Sequence, residues 1–163
     1  MQLPSADPVY LFVYGTLRRG SEAPVLKLIK DAVEWIGFAQ VKGKLYDIGD
    51  YPGATPLEDS ASVIVGEVML LKNAEEVFVV LDEYEAHDPE NAGGSEFCRM
   101  IEEVMLKDGA VVKAWIYWYN FEVDGMKQIA DGDYVHYLKK NKRSISYGAL
   151  QHEPEFEGLE AEK

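Results

Sequence analysis

The chain has 163 residues, a net charge of −13 at pH 7 and 47% hydrophobic residues. This length is typical of one domain, and this share of apolar residues is enough to bury a core. The negative charge repels phosphate backbones and anionic lipid headgroups, so we expect neither nucleic acid nor a membrane surface as a partner.

The start of the chain, MQLPSADP, has no basic residue and no apolar run. We therefore expect no signal peptide. No stretch approaches the roughly 20 apolar residues that are needed to span a bilayer. Cys98 is the single cysteine, so the chain has neither an internal disulfide nor a pair of metal-binding cysteines. These features predict a protein of the reducing cytoplasm.

Strand and helix patterns alternate in the first half of the chain. Residues 9–14, VYLFVY, are apolar at nearly every position, which predicts a strand covered on both faces. Residues 24–35 carry apolar side chains at helical spacing behind a proline, which predicts an amphipathic helix. Residues 36–48 mix strand formers with two glycines and predict a bent strand, whereas the turn residues at 49–56 predict a loop. A further strand is predicted at 62–71.

A second helix is predicted to begin at Asn73, which can cap it together with Glu76 in the capping-box position. An irregular acidic stretch follows at 87–96. The segments MIEEVML (100–106) and VVKAWIYWYNF (111–121) flank the turn KDGA and predict a β-hairpin.

Two regions of the chain differ in composition. The last twelve residues, 152–163, include five glutamates and predict a solvated tail, while 1–151 is expected to form a single domain. Strands outnumber helices in that domain, and the hairpin favours antiparallel or mixed pairing. We therefore predict an α+β fold in which a small mixed or antiparallel β-barrel is flanked by helices.

The acidic segment LDEYEA, residues 81–86, ends the second predicted helix. On a helical wheel Asp82 and Glu83 fall outside the apolar arc, so we expect both to be solvated. Glu85 falls inside that arc. Burial there would raise the pKa of its carboxyl, as is needed for a group that takes and returns a proton near neutral pH. The alternative is a Glu85 at a frayed helix end, in contact with water or a lysine.

Other chemistries have less support. Cys98 has no neighbouring histidine in a recognisable pattern and is interpreted as a small buried side chain. Glu85, His87 and Asp88 lack a metal-ligand spacing, so no metal site is predicted. The chain has no GxSxG elbow, no Walker A loop and no GxGxxG fingerprint. The aromatic run at 115–119 is more typical of sheet packing than of a base-stacking surface.

Four segments in chain order, FVYGTLRRG, YDIGDYPGA, VIVGEVMLL and LDEYEA, resemble the γ-glutamylcyclotransferase-like family. The segments FCRMIEEVML and AWIYWY and the GDY at 132–134 fit the same family pattern. The resemblance covers roughly residues 9–138. It implies a compact α+β barrel with a cavity between the YGTL loop and a catalytic glutamate.

In that family the YGTL backbone holds the γ-glutamyl part of the substrate, which implies this role for Tyr14, Gly15, Thr16 and Leu17. The catalytic acid of the family is the last residue of LDxxE, which is Glu85 here. The implied reaction is cleavage of a γ-glutamyl amide by its own α-amine, with Glu85 as general acid and base. It releases 5-oxoproline and a free amine from a small-molecule γ-glutamyl substrate, and it needs no cofactor.

The sequence departs from the family pattern near the expected leaving-group side. Phe97 stands where the family has tyrosine, Ala86 stands where glycine is common, and 87–96 is long and acidic. These departures keep two other hypotheses open: a non-catalytic domain that binds a small molecule or a partner, and acyl transfer on an unrelated amide. Arg18 and Arg19 are expected only to balance the acidic protein at the rim of the site.

Overall fold

A computed structural model describes residues 7–21, 23–57 and 61–141. The first elements are β1 (Val9–Val13), α1 (Pro24–Ile29), β2 (Val33–Asp47), β3 (Pro52–Pro56) and β4 (Val63–Leu71). The later elements are α2 (Ala74–Tyr84), β5 (Phe97–Leu106), β6 (Val111–Tyr119), β7 (Lys127–Gln128) and α3 (Tyr134–Lys140). No helix in this described part of the chain is both long and apolar enough to cross a membrane.

Five strands close into a barrel. Their order is β2, β4, β1, β6, β5, and a short antiparallel pairing of β5 with β2 closes the ring. The pairing of β1 with β6 is parallel, and the other pairings around the barrel are antiparallel. β3 and β7 pair with the C-terminal part of β2 outside this ring. The predicted α+β barrel of mixed pairing with flanking helices is therefore confirmed.

Both faces of β1 are covered. Leu11 and Val13 belong to the apolar cluster that packs α1 and α2 onto the barrel. Phe12 and Tyr14 belong to a second cluster, which receives side chains from all five barrel strands and from α3. Alternate residues of a strand point to opposite faces, so an unbroken apolar run is what a doubly covered strand requires.

The structure differs from the prediction at three places. The helix predicted over 24–35 ends at Ile29, and 33–35 belongs to β2, where pairing with β4 outweighs the helical spacing. The loop predicted over 49–56 contains β3, which pairs with β2. At the third place, toward the end of the described chain, neither the two-residue strand β7 nor α3 has a counterpart in the prediction.

The remaining predictions match the described elements. The strand at 62–71, the second helix and the hairpin correspond to β4, α2 and the pair of β5 with β6. α2 begins after Asn73, although the side chain of Asn73 makes no capping hydrogen bond. The predicted tail at 152–163 and the predicted domain end at 151 lie outside the described residues.

The segment GDY at 132–134 leads into α3. Gly132 has a φ of +71°, and a Cβ there would lie 2.0 Å from the carbonyl oxygen of Val63. The carboxylate of Asp133 caps α3 by accepting a hydrogen bond from the N–H of His136 at 3.2 Å. Tyr134 is fully buried against the barrel. These three residues turn the chain, start the helix and anchor it.

α2 ends immediately before Glu85 in a left-handed turn. The N–H of His87 donates to the carbonyl of Asp82 at 2.8 Å, and the N–H of Ala86 donates to the carbonyl of Glu83 at 3.2 Å. This is the Schellman pattern, in which the left-handed position is usually glycine. Ala86 occupies that position with a φ of +56°. Every other non-glycine residue among those described has a negative φ.

We expect the substitution Ala86→Gly to raise the free energy of unfolding by about 0.5 kcal/mol. Relief of the left-handed strain outweighs the greater freedom of glycine in the unfolded chain. Urea unfolding at equilibrium measures the difference. Ala74→Gly, at the first residue of α2, is the control and should not stabilise the protein, because no positive φ is relieved there. A loss of stability in Ala86→Gly would contradict this account of the turn.

Candidate functional site

A cavity opens to solvent between the end of β1 and the end of α2, and the space in it, including its open mouth, is about 400 Å³. Its walls are formed by residues 12–17, Tyr51, Pro52, Glu85, Phe97 and Tyr117. The four YGTL residues and Glu85, which the sequence analysis selected, thus line one cavity although they lie far apart in the chain.

The YGTL loop brings backbone donors to this cavity. Gly15, Thr16 and Leu17 are buried. Among the described residues, none accepts a hydrogen bond from their backbone N–H groups. Buried N–H groups require an acceptor, so three such donors in the wall of a cavity are suited to the oxygen atoms of a ligand.

The hydroxyls of the same loop are already occupied by the protein. The hydroxyl of Tyr14 donates to the carbonyl of Tyr117 at 2.6 Å and accepts from the N–H of Ala54 at 3.3 Å. The hydroxyl of Thr16 lies 2.5 Å from that of Tyr84 on α2. These bonds tie the loop to β6, β3 and α2, which leaves the backbone rather than the side chains to contact a ligand.

Position 15 has no room for a side chain, because a neighbouring proline packs against it. A Cβ at this position would lie 2.7 Å from Cγ of Pro52 on β3. Gly15 is not among the glycines with a positive φ. Close packing of the loop on β3 therefore explains the glycine at this position.

Glu85 is the residue immediately after α2, and it is partly buried. Burial in the cavity wall raises the pKa of its carboxyl to about 8, and the negative charges of Glu96 and Asp82 add to this effect. Among the described residues, no group donates a hydrogen bond to this carboxyl. The helical wheel correctly placed Glu85 with the apolar side of the helix, where such a shift arises.

Asp82 corrects the sequence prediction, which left it in solvent. It is buried and accepts hydrogen bonds from Nε and Nη2 of Arg99 at 2.9 and 3.0 Å and from the hydroxyl of Tyr117 at 2.6 Å. The guanidinium of Arg99 lies 3.9 Å from the ring centroid of Phe78 and 4.8 Å from that of Trp115. The wheel could not identify Asp82, because its partners come from β5 and β6.

Arg18 also corrects the prediction, which placed it at the rim. Arg18 is only 4% exposed, and its guanidinium binds Asp133 at 2.7 Å and Glu67 at 3.2 Å. The second oxygen of Glu67 accepts the backbone N–H of Arg19 at 2.6 Å, while the Arg19 side chain is exposed as expected. The signal that could have found this cluster is Glu67 itself, since a carboxylate inside an apolar strand requires a partner.

Other candidate residues are not part of the cavity wall. Cys98 is partly exposed on β5, which is less burial than the sequence predicted. His87 packs edge-on against Tyr117, and its Nδ1 lies 3.1 Å from the carbonyl oxygen of Phe97. Within the described ranges, no three His, Cys, Asp or Glu side chains come close enough together to hold a metal ion.

We expect Arg18→Met to lower the free energy of unfolding by about 3 kcal/mol, because it leaves the carboxylates of Glu67 and Asp133 without their cation. Arg19→Met removes an equal charge from the exposed neighbour and should cost less than about 1 kcal/mol. Urea unfolding followed by tryptophan fluorescence measures both values. Equal effects of the two substitutions would contradict the importance of the buried cluster.

Known proteins are similar to this chain in sequence and in fold. The family model described as gamma-glutamyl cyclotransferase, AIG2-like, matches residues 11–136. The gamma-glutamylcyclotransferase family protein YtfP of Escherichia coli K12 is 31% identical over 132 residues, which cover 77% of this chain and 95% of that protein.

Two solved structures share the fold. YkqA from Bacillus subtilis matches with a TM-score of 0.63 and 24% identity over 83% of this chain, which spans 43% of the YkqA chain. An AIG2-like protein from Mus musculus matches with a TM-score of 0.57 and 19% identity, over 73% of this chain and 82% of that chain. The resemblance found in the sequence is therefore confirmed, and the chain belongs to the AIG2-like gamma-glutamyl cyclotransferase family.

Proposed function

We propose that this protein cleaves a γ-glutamyl amide by means of the substrate's own α-amine and releases 5-oxoproline and a free amine. One observation carries the proposal. A single cavity combines a carboxyl whose pKa is raised to about 8 with three backbone N–H groups that have no acceptor among the described residues. Membership of the family supports a cyclotransferase-like activity.

In the proposed complex, the N–H groups of Gly15, Thr16 and Leu17 hold the γ-glutamyl part of the substrate. A substrate folded in this way keeps its amine against its γ-carbonyl, and such positioning contributes much of the rate of intramolecular reactions. N–H groups that point at the carbonyl oxygen also stabilise the negative charge that develops there. Tyr14 acts indirectly, because its hydroxyl fixes the end of β1 to Tyr117 and Ala54.

Glu85 moves the proton in this proposal. Its ionised carboxylate takes a proton from the α-ammonium, and the freed amine attacks the γ-carbon to form the new C–N bond. The protonated Glu85 then returns the proton to the leaving nitrogen as the original amide bond breaks. The second proton of the attacking nitrogen passes to the released amine, so the products are 5-oxoproline, whose ring nitrogen is neutral, and an ammonium. A carboxyl with a pKa of about 8 is suited to both transfers near neutral pH. The reaction balances without water or a cofactor.

The surroundings of the carboxyl support this role. The salt bridge between Arg99 and Asp82 leaves that guanidinium paired below the end of α2, so it does not neutralise Glu85. The substrate in this proposal is a small molecule, and the compartment that we propose is the cytoplasm, which suits a chain with one cysteine.

We expect Glu85→Gln to lower the release of 5-oxoproline from γ-glutamyl amides at least 100-fold, because the amide cannot exchange a proton. Glu83→Gln is the matched control, since Glu83 is an exposed acid on the same turn, and it should retain full activity. Chromatographic detection of 5-oxoproline gives the rates, and circular dichroism checks the fold of both variants. Full activity in Glu85→Gln would overturn the mechanism, and saturable binding without turnover in the wild type would favour the non-catalytic hypothesis.

The pH dependence provides a separate check. Glu85 must be ionised to accept the first proton, so kcat/KM should fall about tenfold for each pH unit below about 8. The rate falls toward low pH because the carboxyl of the free protein is protonated below its raised pKa and cannot accept the proton. Initial rates at low substrate concentration from pH 4 to 9 measure this limb. An acidic limb near pH 4.5, the ordinary value for glutamate, would contradict the role of burial.

A further inference from the structure

The contacts described so far do not specify which leaving amine the proposed reaction accepts. We propose that Glu96, held beside the cavity by Tyr51, selects γ-glutamyl amides whose leaving amine carries a second positive charge and rejects those whose leaving group carries a carboxylate. This inference rests on the proposed function, because it names the substrate class of the same cavity.

Two contacts fix Glu96 next to the cavity. The hydroxyl of Tyr51, which lines the cavity, donates a hydrogen bond to the Glu96 carboxylate. The carbonyl of Glu96 accepts the N–H of Asn120 at 2.8 Å, and the next residue, Phe97, is itself in the cavity wall. The rings of Tyr51 and Phe97 lie 6.0 Å apart between centroids. The carboxylate is therefore held at the cavity and is not a freely moving surface group.

The charge of Glu96 acts on groups inside the cavity. It raises the pKa of Glu85, second only to burial, and it contributes to the raised pKa of Tyr14. These two residues come from different elements of the wall, so the field of Glu96 extends across the cavity. A charged substituent on a bound substrate would experience the same field.

No cationic side chain balances this charge in the wall. Among the described residues that line the cavity there is no lysine, arginine or histidine. Arg18 follows the lining segment, but its guanidinium binds Glu67 and Asp133. Arg99 is paired with Asp82 in the same way. The positive groups that the cavity itself offers are thus the dipoles of the YGTL backbone.

The charge of the substrate then decides which leaving groups fit. The α-carboxylate of the γ-glutamyl part can use the backbone donors of the YGTL loop. A second carboxylate, as in an amino acid leaving group, would find no cationic side chain in the wall and would be repelled by Glu85 and Glu96. An ammonium group at the end of a short alkyl chain would instead meet a carboxylate of opposite charge. Charge complementarity of this kind controls specificity more than it controls total affinity.

The test uses three γ-glutamyl amides whose leaving amines share a three-carbon chain: those of 1,3-diaminopropane, propylamine and β-alanine, whose leaving groups are cationic, neutral and anionic. We expect kcat/KM for release of 5-oxoproline to fall in that order, with the cationic amide at least tenfold above the anionic one. Glu96→Gln should reduce this ratio about tenfold and shift the acidic limb of the pH profile to lower pH.

Glu90→Gln is the matched control, because Glu90 is an exposed acid of the same loop whose removal changes the net charge equally. It should leave the ratio unchanged. Tyr51→Phe, which keeps the ring but removes the bond to Glu96, should reduce the ratio in part and serves if Glu96→Gln folds poorly. An unchanged ratio in both Glu96→Gln and Tyr51→Phe, or a wild-type preference for the anionic amide, would overturn the inference.

Failure of the proposed function would give a different result, namely no 5-oxoproline from any of the three amides. The charge preference is then measured directly by calorimetric binding of the same amides to the wild type and to Glu96→Gln. Tighter binding of the cationic amide by the wild type, lost in Glu96→Gln, would support the selection by Glu96. Equal affinities for all three amides, or no binding, would overturn it.

Discussion

The buried guanidinium of Arg18 is the contact on which the cavity depends. It joins the loop after β1 to Glu67 in β4 and to Asp133 at the start of α3, three segments that are distant in the chain. Removing a cation from water is costly, and here two carboxylates offset part of that cost, while the buried Nε of Arg18 has no hydrogen-bond partner among the described residues. Because Glu67 also accepts the N–H of Arg19, the backbone directly after the YGTL residues is held at two points. The donors of Gly15, Thr16 and Leu17 therefore lie in a loop that these ion pairs and this hydrogen bond hold in place without a ligand.

A second arginine does the same for the opposite wall. Arg99 binds Asp82 with two hydrogen bonds and rests on the rings of Phe78 and Trp115, which fixes the last turn of α2 on the barrel. Both arginines thus form salt bridges with carboxylates inside the protein. Glu85, which follows that turn, is left in the cavity without a cation, and burial raises the pKa of its carboxyl. The same pairing that builds the walls therefore creates the electrostatics on which the proposed proton transfers rely.

Much of this arrangement could be predicted, and the reasons for the failures are specific. The period of apolar residues identified β1, β4, the hairpin and α2, because each buries a face that the local pattern reveals. The wheel placed Glu85 correctly for the same reason. It failed for Asp82, whose burial is stabilised by Arg99 and Tyr117 on other strands. The prolines and the glycine of β3 predict a loop because they are turn residues, and only pairing with β2 makes the segment extended.

By itself, the sequence determined the class of fold from local periodicity and the family from short motifs, and the resemblance to that family implied the two segments that meet at the cavity. Only the tertiary structure decided which charges are neutralised. Arg18 and Asp82 look like ordinary surface groups in the chain, yet both are buried in ion pairs with residues from other elements. It also decided that Gly15 serves the packing against Pro52 and that Glu96 lies beside the cavity. Such facts depend on distances between residues far apart in sequence, and a local pattern carries no record of those distances.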